Sequence, residues 1–240
     1  MINDAQAATH TYSGTELELF RTAVNWKGYY NGFLAAHIAG SVLEVGAGIG
    51  GTTRALATSR HARWTCLEPD SALAAQIEKI KSTFPVPCQV RQGSLSTLGG
   101  SEKFDTILYI DVLEHIEADA KELELARDHL NAGGKIVVLS PAHQFLFSPF
   151  DQAVGHHRRY NLGSLKKVAP PGLKQEALFY LDSMGFFLSL GNRMLLKQSA
   201  PSRPQIEFWD RYVIPISRLV DPLLRYRFGK TVIGVWSKGA

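Results

Sequence analysis

Apolar residues recur along this chain with two different periods, and the switches between them mark out its elements. Over residues 16–38 the spacing is helical, with Leu17, Phe20, Val24, Tyr29, Phe33, Leu34 and Ile38 on one side and Gly40 closing the run. This predicts a helical cap over residues 1–40. A short Val- and Leu-rich strand then runs into the turn Gly46-Ala47-Gly48-Ile49-Gly50-Gly51 and a helix over 52–59. Further strands fit 63–67, 88–92, 104–110 and 135–139, separated by helices over 71–83 and 118–130, the second stopped by Gly133-Gly134. Such alternation predicts an α/β core with a parallel sheet over residues 41–140.

From 141 to 172 the pattern dissolves into a stretch rich in Phe, His, Arg, Pro and Gly, too long for an ordinary connection. An ordered insertion covering a functional site is expected there. Residues 173–240 resume with a strand at 174–181, helices over 183–196 and 207–226, and an alternating strand at 231–237. No repeat or low-complexity linker interrupts the chain, so residues 1–240 read as a single domain.

The glycine turn is the first chemical signal. Glycine permits positive φ and lets the backbone approach a ligand without a Cβ in the way, while the following helix turns free N–H groups toward the turn. Gly46, Gly48 and Gly51 also satisfy the G-x-G-x-x-G spacing of a dinucleotide site. Glu44, at the end of the apolar strand, tilts the choice. Beside a pyrophosphate it would add repulsion to its desolvation cost, whereas a ligand carrying an ammonium group offsets both. S-adenosylmethionine has that group and NAD does not, so Glu44 is expected to face the methionine end of the ligand. The alternative is a structural acid satisfied by loop N–H groups.

The 240 residues are 45% hydrophobic, enough for a continuous core. The formal charge of +4 is scattered, with no Lys/Arg run of the kind a nucleic-acid arm shows, which argues against a nucleic-acid partner. Cys66 and Cys88 lack metal-site spacing and read as reduced thiols, and no metal site is expected. Residues 1–14 are polar, and no run reaches membrane-span length, so a cytoplasmic location is expected.

Together these parts resemble the class I methyltransferases that use S-adenosylmethionine, over most of the chain from Tyr29 to Trp236. Glu44-Val45-Gly46-Ala47-Gly48-Ile49-Gly50 looks like the family's first motif, and Glu68 matches the acid that holds both ribose hydroxyls. Asp111-Val112-Leu113-Glu114-His115-Ile116 is similar to a segment common in enzymes acting on small molecules; Gly133-Gly134 and the terminal strand also fit. Where the family often has an acid after the third strand to accept the adenine amino group, this chain has Gln92-Gly93-Ser94-Leu95. The segments Ser140-Pro141-Ala142-His143 and Gly155-His156-His157-Arg158-Arg159-Tyr160 look like a subgroup associated with glycan, lipid-linked or secondary-metabolite tailoring.

The resemblance implies a Rossmann-like, doubly wound, seven-stranded, mostly parallel sheet with an antiparallel last strand. It also implies a donor site from Glu44, Gly46, Ala47, Gly48, Gly50, Glu68, Pro69, Gly93, Ser94, Leu95, Asp111, Val112 and Leu113. Transfer to a hydroxyl needs a proton acceptor, for which His115, His143, His156 and His157 are the candidates. Two adjacent histidines cannot both face inward in an extended segment. Tyr29, Phe147, Arg158, Arg159 and Tyr160 are the expected acceptor contacts; each arginine could hold an anionic group or pair with Asp151. The expected acceptor is a small molecule or a glycan- or lipid-like compound, methylated at oxygen. An NAD(P)-dependent dehydrogenase and a non-catalytic S-adenosylmethionine-binding regulator are the alternatives. The basic, aromatic helix near the end suits a membrane surface, but Pro215 and Pro222 would break it, which favours packing on its own domain. Monomer and homodimer both remain open.

Overall fold

The computed structural model describes residues 15–191 and 201–239. Among them, β1 (Ser41–Val45), β2 (Arg63–Glu68), β3 (Cys88–Gln92), β4 (Phe104–Ile110), β5 (Leu130–Pro141), β6 (Leu173–Leu181) and β7 (Thr231–Lys238) form one sheet in the order β3-β2-β1-β4-β5-β7-β6. β7 runs antiparallel to both of its neighbours, and the other pairings are parallel. The strand order reverses between β1 and β4, which opens a crevice beyond their carboxyl ends.

Side chains on β1 alternate between two cores, as a pleated strand requires. Val42 packs with Trp64, Cys66, Leu108 and Val137 on one face, and Leu43 and Val45 pack with Leu67, Ile107, Tyr109 and Ile136 on the other. Helices cover both faces, so β1 is buried along its whole length. The helices are α1 (Thr15–Arg21), α2 (Val24–Leu34), α3 (Gly51–Leu56), α4 (Ser71–Ile80), α5 (Asp119–Asp128), α6 (Pro149–Ala153), α7 (Leu162–Val168), α8 (Ser183–Gly191), α9 (Arg203–Phe208) and α10 (Ile214–Leu223). Cys66 and Cys88 are unbridged thiols on neighbouring strands.

Several elements differ from the sequence expectation for identifiable reasons. The helix expected over 16–38 is broken between α1 and α2 because Asp210, far along the chain, accepts the N–H groups of Asn25 (3.1 Å) and Trp26 (2.8 Å) and so caps a new helix start. Gly133 lies within β5, not at a helix stop; it adopts φ 73° where the β4–β5 register shifts. Pro215 and Pro222 do not break the last helix. A π-helical segment, Trp209–Val213, sits just before Pro215 and joins α9 to α10, so residues 203–223 run on as one helical stretch. Beyond residue 191 the helix expected over 183–196 lies outside the described residues. No helix among the described residues is long and apolar enough to cross a membrane.

Candidate active site

A cleft of about 2100 Å³ lies over the crevice between β1 and β4. One end is built from turns. The β1 turn brings in Gly46, Ala47, Gly48 and Thr52; the end of β2 brings Glu68, Pro69 and Asp70; the end of β3 brings Gln92, Gly93 and Ser94. Gly46 has φ 65°, and a Cβ there would lie 2.7 Å from Val112 Cγ2, itself on the cleft wall, so only glycine lets the turn pass that close. Glu68 is buried, with Oε2 accepting the Gly48 N–H (2.7 Å) and Oε1 the Asp70 N–H (3.0 Å). Burial pushes its pKa up while those two N–H groups pull it down, leaving it raised. Both oxygens keep a further lone pair, so Glu68 offers the cleft a rigid pair of hydrogen-bond acceptors.

The other end forms where the 141–172 insertion folds back over β4 and β5. Ala142 bridges to Tyr160, and His143 N donates to Tyr160 O, which pins the loop to the end of β5. Within it, Asp151 is fully buried and organises its surroundings. Its Oδ2 accepts from Ser148 N (2.8 Å) and Oγ (2.7 Å), closing the cap of α6. Arg159 donates to both of its oxygens (2.8 and 2.9 Å), and His156 Nδ1 lies 2.8 Å from Oδ1. Burial alone would raise this carboxyl's pKa, but the His156 and Arg159 contacts hold it well below the usual range. Glu114, on the turn after β4, is also fully buried; Ser140 Oγ donates to its Oε2 (2.8 Å). Burial, reinforced by Asp111, raises its pKa well above normal. The His115 ring packs edge-on against His156 at 4.5 Å, and burial lowers its pKa to about 4. Phe187, Leu188, Ile206 and Phe208 form an apolar wall beside these polar groups.

A family model described as a methyltransferase domain matches residues 43–136, the segment that carries the glycine turn, Glu68 and Glu114. Over that segment the chain is similar to a methyltransferase domain. The fold is similar to that of the YcgJ protein of Bacillus subtilis (TM-score 0.59, 13% identity, 89% of this chain and 98% of that one). It is also similar to the N-methyltransferase NodS of Bradyrhizobium japonicum (0.56, 12%, 93% and 98%). Coclaurine N-methyltransferase, bound to N-methylheliamine and SAH, is a third similar structure (0.58, 15%, 90% and 72%). No curated protein matches the sequence significantly.

Against this methyltransferase fold the expected site residues divide. Gly46, Ala47, Gly48, Glu68, Pro69, Gly93, Ser94, Asp111 and Val112 line the cleft, as do His115, His156, His157 and Arg159. The others point elsewhere. Glu44 shares its strand face with Val42, so it turns onto α3, where its Oε2 accepts from Thr53 Oγ1 (2.6 Å) and Trp64 Nε1 (2.7 Å). It is held as a structural acid by two side chains together with the Thr53 backbone N–H at the start of α3. Gly50 sits against Phe84, and Leu95 and Leu113 are buried in the core beneath the cleft. Tyr29 is turned away to donate to Asp221 (2.8 Å), and its neighbour Tyr30 lines the cleft instead.

His143 stacks on Tyr180 and bonds through Nε2 to Gly229 O (3.0 Å), so it is not placed to take a proton in the cleft. Arg158 pairs with Asp119 (2.6 Å), and Tyr160 donates to the same carboxylate (2.7 Å); neither lines the cleft. Phe147 is also off the lining, although Leu146 and Ser148 on either side are on it. Of the two adjacent histidines, His156 is the one that reaches inward to Asp151, while His157 is exposed at the rim. Lys230, just ahead of β7, lines the cleft and was not anticipated; burial lowers its pKa. Its only sequence signal is its place at the carboxyl edge of the sheet.

Proposed function

We propose that the protein methylates a small-molecule, lipid-like or glycan-like acceptor at oxygen, with S-adenosylmethionine as donor. The observation that carries this reading is the division of one cleft into two chemically different ends. The glycine turn and Glu68 suit a nucleoside, and Ser94 borders it where its hydroxyl can accept the adenine amino proton. When bound there, S-adenosylmethionine supplies an electrophilic methyl group on a sulfonium.

The protein's own residues position the acceptor and handle its proton. Phe187, Leu188 and Phe208 cover an apolar body, which favours acceptors with a hydrophobic portion and keeps water from the reacting atoms. Arg159 and Lys230 add positive charge to that end. As the new O–CH3 bond forms, the C–S electron pair stays on sulfur and the hydroxyl proton must leave. The concentration of Glu114, His115 and His156 favours oxygen, because a neutral hydroxyl needs that assistance more than an amine with a free lone pair. NodS and coclaurine N-methyltransferase are N-methyltransferases, so nitrogen is the competing acceptor atom.

The deciding measurement is calorimetric titration with S-adenosylmethionine, S-adenosylhomocysteine and NAD in ligand-free preparations. Micromolar binding of the first two and none of NAD is expected, and NAD binding alone would overturn the reading. Candidate hydroxyl and amine acceptors scored by a one-methyl mass gain would then separate oxygen from nitrogen.

A further inference from the structure

Two side-chain atoms at this end of the cleft, Glu114 Oε1 and Arg159 Nη1, are buried without a hydrogen-bond partner among the described residues. Glu114 Oε1 has no hydrogen bond, and His156 Nε2 is 3.9 Å from it. That is too far for a hydrogen bond. It suits two atoms sharing one ion, since ligand bonds of about 2.0–2.2 Å place neighbouring ligand atoms roughly 3–4 Å apart. His115 completes the set: one ligand atom from each of Glu114, His115 and His156 can be chosen so that all lie within 4.8 Å of one another.

Each of the three groups is already held by a neighbour. His156 Nδ1 faces Asp151, which Ser148 and Arg159 hold in turn, leaving Nε2 for the cluster. Glu114 Oε2 is held by Ser140. His115 hydrogen-bonds to the backbone of Val154 and Gly155. Carboxylate or carbonyl partners on the remote nitrogen are how metal-binding histidines are oriented.

We propose that Glu114, His115 and His156 bind a first-row divalent transition-metal ion at the acceptor end of the cleft. Two imidazoles and one carboxylate favour zinc, iron, cobalt or manganese over magnesium or calcium, and three protein ligands leave coordination positions open. All three residues line the cleft, so the open positions face it. The ion relieves the cost of a buried carboxylate next to Asp111 and ties the insertion to the β4 turn. Resting on the transferase reading above, it also binds the acceptor oxygen and promotes loss of its proton to solvent before methyl transfer. No linear motif marks the site, because His156 lies about forty residues beyond the other two ligands.

The test is Co²⁺ titration of chelator-stripped, full-length protein, followed by d–d absorption in the visible, with Zn²⁺ competition and Zn²⁺-dependent melting as second readouts. One equivalent should bind and be displaced by Zn²⁺. His156→Ala should weaken binding at least 100-fold and abolish the Zn²⁺-induced rise in Tm, and Asp151→Asn should weaken it roughly 10- to 100-fold through loss of orientation. Glu114→Gln tests the carboxylate directly; because it is buried, its fold is checked by melting. His37→Ala, ahead of β1, should bind as wild type. Absence of stoichiometric binding, or binding unchanged in His156→Ala, overturns the proposal. S-adenosylhomocysteine calorimetry on the same samples separates the two readings: nucleoside binding without Co²⁺ binding removes only the metal, and the reverse removes the transferase assignment.

Discussion

Replacing Glu44 with glutamine distinguishes a structural acid from a ligand-facing one. Burial is the main cause that lifts the Glu44 carboxyl from 4.5 to about 7, against the opposing hydrogen bonds from Thr53 and Trp64. Since the folded-state value lies above the unfolded one, the folded protein binds the proton more tightly. Stability therefore falls as pH rises from about 4.5 to about 7 and stays lower above that. At 1.36 kcal/mol per pH unit of difference, the full effect is about 3 kcal/mol, of which about 2–3 kcal/mol develops between pH 5 and pH 8. Glutamine keeps a carbonyl oxygen for the Thr53 and Trp64 donors but buries an amide NH2, at a cost of about 1–3 kcal/mol that does not vary with pH.

The expected outcome is thus a variant less stable than wild type at pH 5 whose deficit shrinks, and can reverse, by pH 8. Urea unfolding at three pH values, with m-values checked for equality, measures this difference, and titrations common to both proteins cancel. A gap that stays constant or widens toward pH 8 would refute the reasoning. It would mean that Glu44 is stabilised as a carboxylate, as a cation-facing acid would be.

The remaining expectations concern the donor end and its surroundings. Glu68→Gln should weaken S-adenosylhomocysteine binding by roughly 10- to 100-fold in calorimetry, because it loses charge-assisted acceptors for two hydroxyls; unchanged affinity would remove Glu68 from the site. Gly46→Ala should cost about 1–3 kcal/mol in thermal or urea unfolding through its positive φ and its approach to Val112, and should also impair donor binding. Tyr29→Phe should lose about 1–2 kcal/mol of stability with its bond to Asp221 while donor affinity stays at the wild-type level, and a selective loss of affinity would restore Tyr29 to the site.

The glycine-turn end of the cleft was legible because its residues sit in short turns whose conformation the sequence states outright. Glycines at 46 and 48, and an acid closing β2, carry their constraint locally. Direction was harder to read than position. Glu44, Leu95 and Leu113 neighbour cleft residues in sequence but alternate away from them, and Tyr29 differs from Tyr30 only by the turn of one helical residue. The break between α1 and α2 was hidden for another reason, since the Asp210 carboxylate that causes it comes from the other end of the chain.

The end of the cleft beneath the 141–172 insertion was less legible because long-range carboxylates build it. Asp221 accepts from Tyr29 and from the backbone N–H groups of Asp182 and Ser183, and Asp182 in turn accepts from Trp209 and Ser217. Through these contacts α2, α8 and α10 share one buried polar network, which sets where Phe187 and Phe208 can stand. Unlike a glycine turn, no short window around these aspartates announces their partners, because burying each charge is tolerable only after the whole helical layer has assembled. The apolar wall thus depends on a network separate from the glycine turn and Glu68. Substitutions in that layer are therefore expected to change acceptor choice while leaving the glycine turn and Glu68 intact.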